Sequence, residues 1–180
     1  SPSDNNDGEA FGLFAVLPNG DVIPFTVENS AFVQVIHNSP DPAADSVDIY
    51  LNGNLALDNF KFREGTPYLD LPVGNVESEI GVALGNSNES GNGYDDTLVS
   101  FNYNLTSLNY YQLIAYGMPT VGFEPNPDGL NTGFNIAALS AFPQSPYTGN
   151  VVATRVFHGS PDAPTVDIRL DGNQDYVVDN

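Results

Sequence analysis

FVQVIHNSPDPAADSVDIYLNGN occupies residues 32–54, and TRVFHGSPDAPTVDIRLDGN occupies residues 154–173. The two histidines of the 180-residue chain, His37 and His158, hold the same place in these two phrases, 121 residues apart. The match runs beyond the His-x-Ser-Pro-Asp core. Val33 and Val35 correspond to Thr154 and Val156, Val47-Asp48-Ile49 to Val166-Asp167-Ile168, and Asn52-Gly53-Asn54 to Asp171-Gly172-Asn173. The first copy carries two extra residues in its loop. A phrase repeated with its flanks marks the same address in successive structural units, so the histidines read as one feature written twice and not as a catalytic or metal-binding pair.

The flanks are strand-like. Short alternating or β-branched and aromatic runs, bounded by Gly, Pro and Asn, predict strands over 31–37, 46–51, 54–58, 66–71, 75–84, 96–105, 109–116 and 134–141, with no convincing helix. Asn52-Gly53 is a two-residue hairpin signal. In 96–105, Leu98 and Val99 lead into Phe101, Tyr103 and Leu105, which alternate with Ser100, Asn102 and Asn104, so one face is expected to be buried and the other wet. The pattern predicts an all-β fold, an antiparallel β-sandwich, immunoglobulin-like or similar, of about seven or eight strands per unit.

The repeat also sets the expected organisation. Residues 10–29 resemble, in abbreviated form, 110–123 followed by the stretch from 134 that leads into the second motif, so 1–29 reads as the end hairpin of a preceding or complementing unit. Residues 30–149 then form a complete unit, and 150–180 supply the first two strands of a following one. Partial units leave unpaired strand edges and half a core, which must be completed by further repeats or by neighbouring copies through strand pairing.

The phrase His-x-Ser-Pro-Asp-x-Pro-x-Val-Asp-Ile-x-x-Asp/Asn-Gly resembles the domain-of-unknown-function 4397 family. HGSPDAPTVDIRLDG is close to that pattern, and HNSPDPAADSVDIYLNG departs from it by its loop insertion. The resemblance implies β-rich modules, often in tandem, of exported and cell-surface proteins, and it implies no particular activity.

Four basic residues, Lys61, Arg63, Arg155 and Arg169, face 23 acidic ones for a formal net charge of −19. Such a chain repels polyanions, so nucleic acid is excluded as a partner. No apolar run approaches the roughly 20 residues of a membrane helix, so membrane insertion is not expected. The opening SPSDNNDGEA lacks the basic start and apolar stretch of a signal peptide, as expected of an exported protein after processing. The absence of cysteine removes thiolate chemistry and disulfides.

In the structural reading of the motif, His37 and His158 end strands, Ser39 or Asp41 (Ser160 or Asp162 in the second copy) caps the turn by accepting from backbone amides, Pro40 and Pro161 fix φ, and Asp48 and Asp167 accept from the imidazoles. A nucleophilic triad from His37, Ser39 and Asp41 or Asp48 would gather every member in one local turn, unlike the assembly such sites need. Glycosidase chemistry at Glu77 and Glu79 or at Asp95 and Asp96 has no sign of an enclosing pocket.

No cofactor is implied except calcium, because hard cations want oxygen ligands. Candidate loops are 3–9, 85–96 and 126–131, with Asn86, Asn88, Asp95 and Asp96 as candidate ligands. The EF-hand pattern fails in 85–96, since the first Asp and the twelfth-position Glu are missing. Candidate glycosylation positions are Asn88 and Asn104 in N-x-Ser/Thr sequons, and Ser46 and Thr97 in short Asp-Ser/Thr patterns. Tyr103, Tyr110, Tyr111, Tyr116 and Phe123 are candidates for a sugar-stacking platform. The expected function is a non-enzymatic extracellular or cell-surface structural protein. It is read as a subunit of a filament, sheath or matrix whose partners are copies of itself joined through terminal strands. The alternative is an adhesin-type repeat that binds glycan or protein, in a calcium-dependent way, through 85–96 and 117–133.

Overall fold

The hairpin signal at Asn52-Gly53 folds as the sequence predicts: both residues take positive φ, 47° and 79°, the geometry that a tight two-residue connection between twisted strands requires. It joins β4 (Ser46–Leu51) to β5 (Asn54–Lys61). The computed structural model describes residues 14–24, 29–73, 77–90, 93–120, 125–140 and 154–169.

The other strands are β1 (Phe14–Val16), β2 (Val22–Pro24), β3 (Ser30–His37), β6 (Leu69–Pro72), β7 (Ser78–Leu84), β8 (Val99–Tyr103), β9 (Tyr110–Tyr116) and β10 (Asn135–Ser140). The eight strands expected within 30–149 are all present, with ends displaced by at most three residues. Helical structure among the described residues is limited to a four-residue turn, α1 (Ser87–Ser90), and 3-10 turns over Pro42–Ala44 and Gly93–Asp96.

Two four-stranded sheets face each other, one in the order β10-β9-β3-β6 and the other β5-β4-β7-β8, while β1 and β2 form a separate two-stranded hairpin. This is a β-sandwich. Its first strand, β3, pairs with β6 and, in parallel, with β9, whereas the first two strands of an immunoglobulin sandwich share one sheet. The chain therefore crosses from one sheet to the other immediately after His37, and the motif is that crossing.

Alternation along the strands puts Ala31, Val33, Val35 and His37 of β3 toward the second sheet, against Val47, Ile49, Ile80 and Val82, with Leu113, Ala115 and Ile136 completing the core. Each Val, Leu or Ile among them removed from water contributes about 1.5–3 kcal/mol. In β8, Val99, Phe101 and Tyr103 are half-buried and Ser100 and Asn102 exposed, as the alternation predicts. Gly81 on β7 admits the loop that follows: a Cβ there would stand 3.0 Å from the Tyr94 ring and 3.2 Å from Thr97.

Gly53→Ala is expected to lower stability by about 1 kcal/mol, the cost of holding an L side chain in the left-handed region. Gly65→Ala, where φ is not left-handed, is expected to have a smaller effect. Urea denaturation of the two variants checks the difference.

Candidate functional site

The crossing from β3 to β4 buries four polar side chains, His37, Ser39, Asp41 and Asp48, each no more than 2% exposed. A buried polar group without a partner costs about 1–3 kcal/mol, so the bonds these residues make decide what the motif is for.

His37 Nε2 lies 2.8 Å from the Ala44 carbonyl, which only accepts, so Nε2 carries the proton. Nδ1 is then an acceptor, and the Ser39 N–H is directed at it from 3.4 Å. Phe60 and Phe62 flank the ring. Burial pushes the imidazole below its ordinary value of 6.5, outweighing the Ala44 carbonyl and the more distant Asp45 and Glu64 carboxylates, which favour the proton.

Ser39 donates its hydroxyl to the Gly117 carbonyl at 2.6 Å. Asp41 uses both oxygens. Oδ1 accepts from the Ala43 amide at 2.9 Å and so caps the 42–44 turn, while Oδ2 accepts from the Thr120 amide at 2.9 Å and the Thr120 hydroxyl at 2.6 Å. Burial alone would raise this carboxyl, but the Thr120 and Ala43 donors prevail and hold it below its ordinary range. Pro40 is exposed and contributes its fixed φ.

Asp48 lies under a register shift between β4 and β5. Its Oδ1 accepts from the amide of Asn59, a residue at φ 52°, at 2.8 Å. Its Oδ2 accepts from the Ser87 hydroxyl at 2.6 Å and the Asn88 amide at 3.3 Å, and Ser87 also meets the Tyr50 hydroxyl at 2.9 Å. One carboxylate thus fixes the bulge in β5 and the start of α1.

One sequence expectation is corrected. The imidazole does not bond Asp48; it is satisfied by Ala44, because the loop curls back under the ring before β4 begins. Of the two capping candidates it is Asp41 that caps the turn, while the Ser39 hydroxyl donates to a carbonyl 78 residues downstream. With the Ser39 hydroxyl bound to Gly117 and both ring nitrogens engaged elsewhere, the geometry is a cross-link between distant backbone segments and not a nucleophile with its base.

Spacing gave no sign of the partners Gly117, Thr120, Asn59 and Ser87. The one signal was a conformational demand: Gly117 has φ 75°, and a Cβ there would sit 2.2 Å from the Gly133 carbonyl oxygen.

The second copy behaves differently. His158 Nε2 again meets a carbonyl of its own loop, that of Pro164 at 3.0 Å, yet His158, Ser160, Asp162 and Asp167 are exposed. Ser160 bonds Asp162 within the turn at 2.8 Å. Val156 and Val166 are 55% and 43% exposed, whereas Val47, the counterpart of Val166, is 3% exposed. Among the described residues, 154–169 add no strand to either sheet, and Ile168 alone forms an isolated bridge.

The remaining candidates are dispersed. Tyr103 and Tyr111 lie toward the core side, Tyr103 donating to the Ile136 carbonyl and Tyr111 accepting from the Thr106 amide. Tyr110 stacks on Phe32 at 4.4 Å, Tyr116 meets Phe157, and Phe123 lies outside the described residues. No single platform gathers them. Glu79 accepts from the Tyr94 hydroxyl and Glu77 from the Asn104 amide.

Asn86, Asn88 and Asp95 are exposed, with Asp96 half-buried, and among the described residues no three His, Cys, Asp or Glu are gathered as a metal site. The loop 3–9 lies outside the described residues. Asn88 and Asn104 are exposed, while Ser46 and Thr97 are half-buried, the Thr97 hydroxyl donating to the Tyr94 carbonyl.

The family model described as Domain of unknown function (DUF4397) matches residues 31–169, more than three quarters of the chain. The chain belongs to the DUF4397 family. The DUF4397 match takes in both motifs, the buried one at the start and the exposed one at the end. No curated protein matches the chain.

Asp48→Ala is expected to cost on the order of 3 kcal/mol in urea unfolding, because it leaves the Asn59 and Asn88 amides without their acceptor. Stability should hold above pH 6.5 and decline below it, since the unfolded chain takes up the His37 proton before the folded one does. His37→Gln should flatten that limb. A second decline, from Asp41, begins below 3.8 and runs down to its lower folded value, checked by the same unfolding series.

Proposed function

We propose that the protein is a non-enzymatic extracellular structural protein, a subunit of a surface filament, sheath or matrix assembled by inter-subunit β-strand pairing. The observation that carries this reading is the exposed second motif. It repeats a sequence whose counterpart is buried and stapled, but leaves Val156 and Val166 in water.

A complementary segment exists at the other end of the chain. The β1–β2 hairpin exposes Phe14, Val16, Val22 and Ile23, and its sequence resembles β9 and β10. Within the sandwich β9 pairs in parallel with β3, from Phe32 opposite Tyr110 to His37 opposite Ala115. The hairpin of one copy and the 154–158 stretch of the next can rebuild that pair, which leads to an open head-to-tail assembly. The net charge of −19 keeps free subunits apart and makes assembly depend on salt or divalent cations.

Purified full-length protein is expected to form filaments or high-mass species on raising ionic strength, seen by electron microscopy and sedimentation. Removal of residues 154–180 should leave monomers whose sandwich still unfolds in one cooperative transition. A full-length chain that stays monodisperse and monomeric under all these conditions sinks the reading.

A further inference from the structure

The loop after β9 holds Asn126, 7% exposed, whose side chain is fully committed. Its Nδ2 donates both hydrogens, to the Pro161 and Ala163 carbonyls at 2.9 Å each. Its Oδ1 accepts from the amides of Asp128 at 2.8 Å and Leu130 at 3.4 Å. Two residues on, Asp128 Oδ2 accepts from the Thr165 amide at 2.7 Å and the Thr165 hydroxyl at 3.0 Å. Those donors hold Asp128 below the usual carboxylate range.

The loop thus reads the backbone of the second turn at 161, 163 and 165. The flanking residues brace the contact: Phe157 packs edge-on against Tyr116 with centroids 5.4 Å apart, and Arg155 donates to the Ser140 carbonyl at 2.7 Å. Gly159 lies against the Asn38 side chain, so the same position of the two motif copies meets across the contact.

We infer that Asn126 and Asp128 form a latch for the His-x-Ser-Pro-Asp turn of the adjoining repeat in the same chain, setting the orientation at which one unit follows another. The Asp128–Thr165 contact uses the same donors as Asp41–Thr120 inside the unit, a carboxylate taking the N–H and O–H of one threonine. The latch grips the turn and leaves Val156 and Val166 outward. It is a contact within one molecule and does not rest on the assembly reading.

Hydrogen exchange of the full chain tests it. In the wild type the Thr165 amide is expected to exchange at least about tenfold more slowly than in an unstructured peptide. Asn126→Asp keeps the acceptor oxygen but sets a second one against two carbonyls; it and Asp128→Ala should both abolish Thr165 protection while the Thr120 amide stays protected. An unprotected Thr165 in the wild type, protection that survives in both variants, or protection lost on dilution, as a turn supplied by a second copy would give, overturns the inference.

Discussion

A chain that crosses between the two sheets of a sandwich must carry its polar backbone through the edge of the core, and everything that would have bonded water there needs an internal partner. The His-x-Ser-Pro-Asp crossing meets this constraint by cross-linking. Ser39 and Asp41 tie it to the end of β9 at Gly117 and Thr120, His37 closes the loop on itself at Ala44, and Asp48 reaches across β4 to the β5 bulge and α1. Among the described residues no buried side-chain nitrogen or oxygen is left without a partner. The parallel β3–β9 pair depends on the same bonds, because they fix where β9 ends relative to where β3 ends.

The second copy separates the local content of the motif from the part supplied by its unit. Its imidazole still bonds its own loop, so that closure is encoded in the phrase itself. Burial of Ser160, Asp162 and Asp167 is not encoded there: it needs the equivalents of Gly117, Thr120, Asn59 and Ser87. What holds the second copy instead is the loop at 126–128, which contacts its backbone and leaves Val156 and Val166 outward. A turn held in place with two valines exposed is a starting state suited to the strand pairing proposed above.

Much of the fold was legible in the sequence, since strands bounded by Gly, Pro and Asn with clean alternation leave few readings; β8 and the Asn52-Gly53 hairpin are the plainest cases. The wiring was not. That β3 joins β9 in parallel depends on contacts 78 residues apart, such as Gln112 with Gln34, which no local pattern announces. Repetition pointed to the motif residues, but their roles were only partly foreseen. Asp41 caps a turn as expected, whereas Asp48 bonds Asn59 and Ser87 in place of the imidazole and Ser39 reaches the Gly117 carbonyl, because a side chain's partner is chosen by the tertiary path and not by its neighbours in sequence.

The most direct test of the central claim is site-resolved hydrogen exchange at the amides of 154–158, compared between dispersed protein and protein concentrated under assembly conditions. The proposed assembly through 154–158 predicts rapid exchange there in the dispersed state and strong protection once assembled, with the buried motif at 37–41 unchanged in both. Equal exchange at 154–158 in the two states would contradict the account.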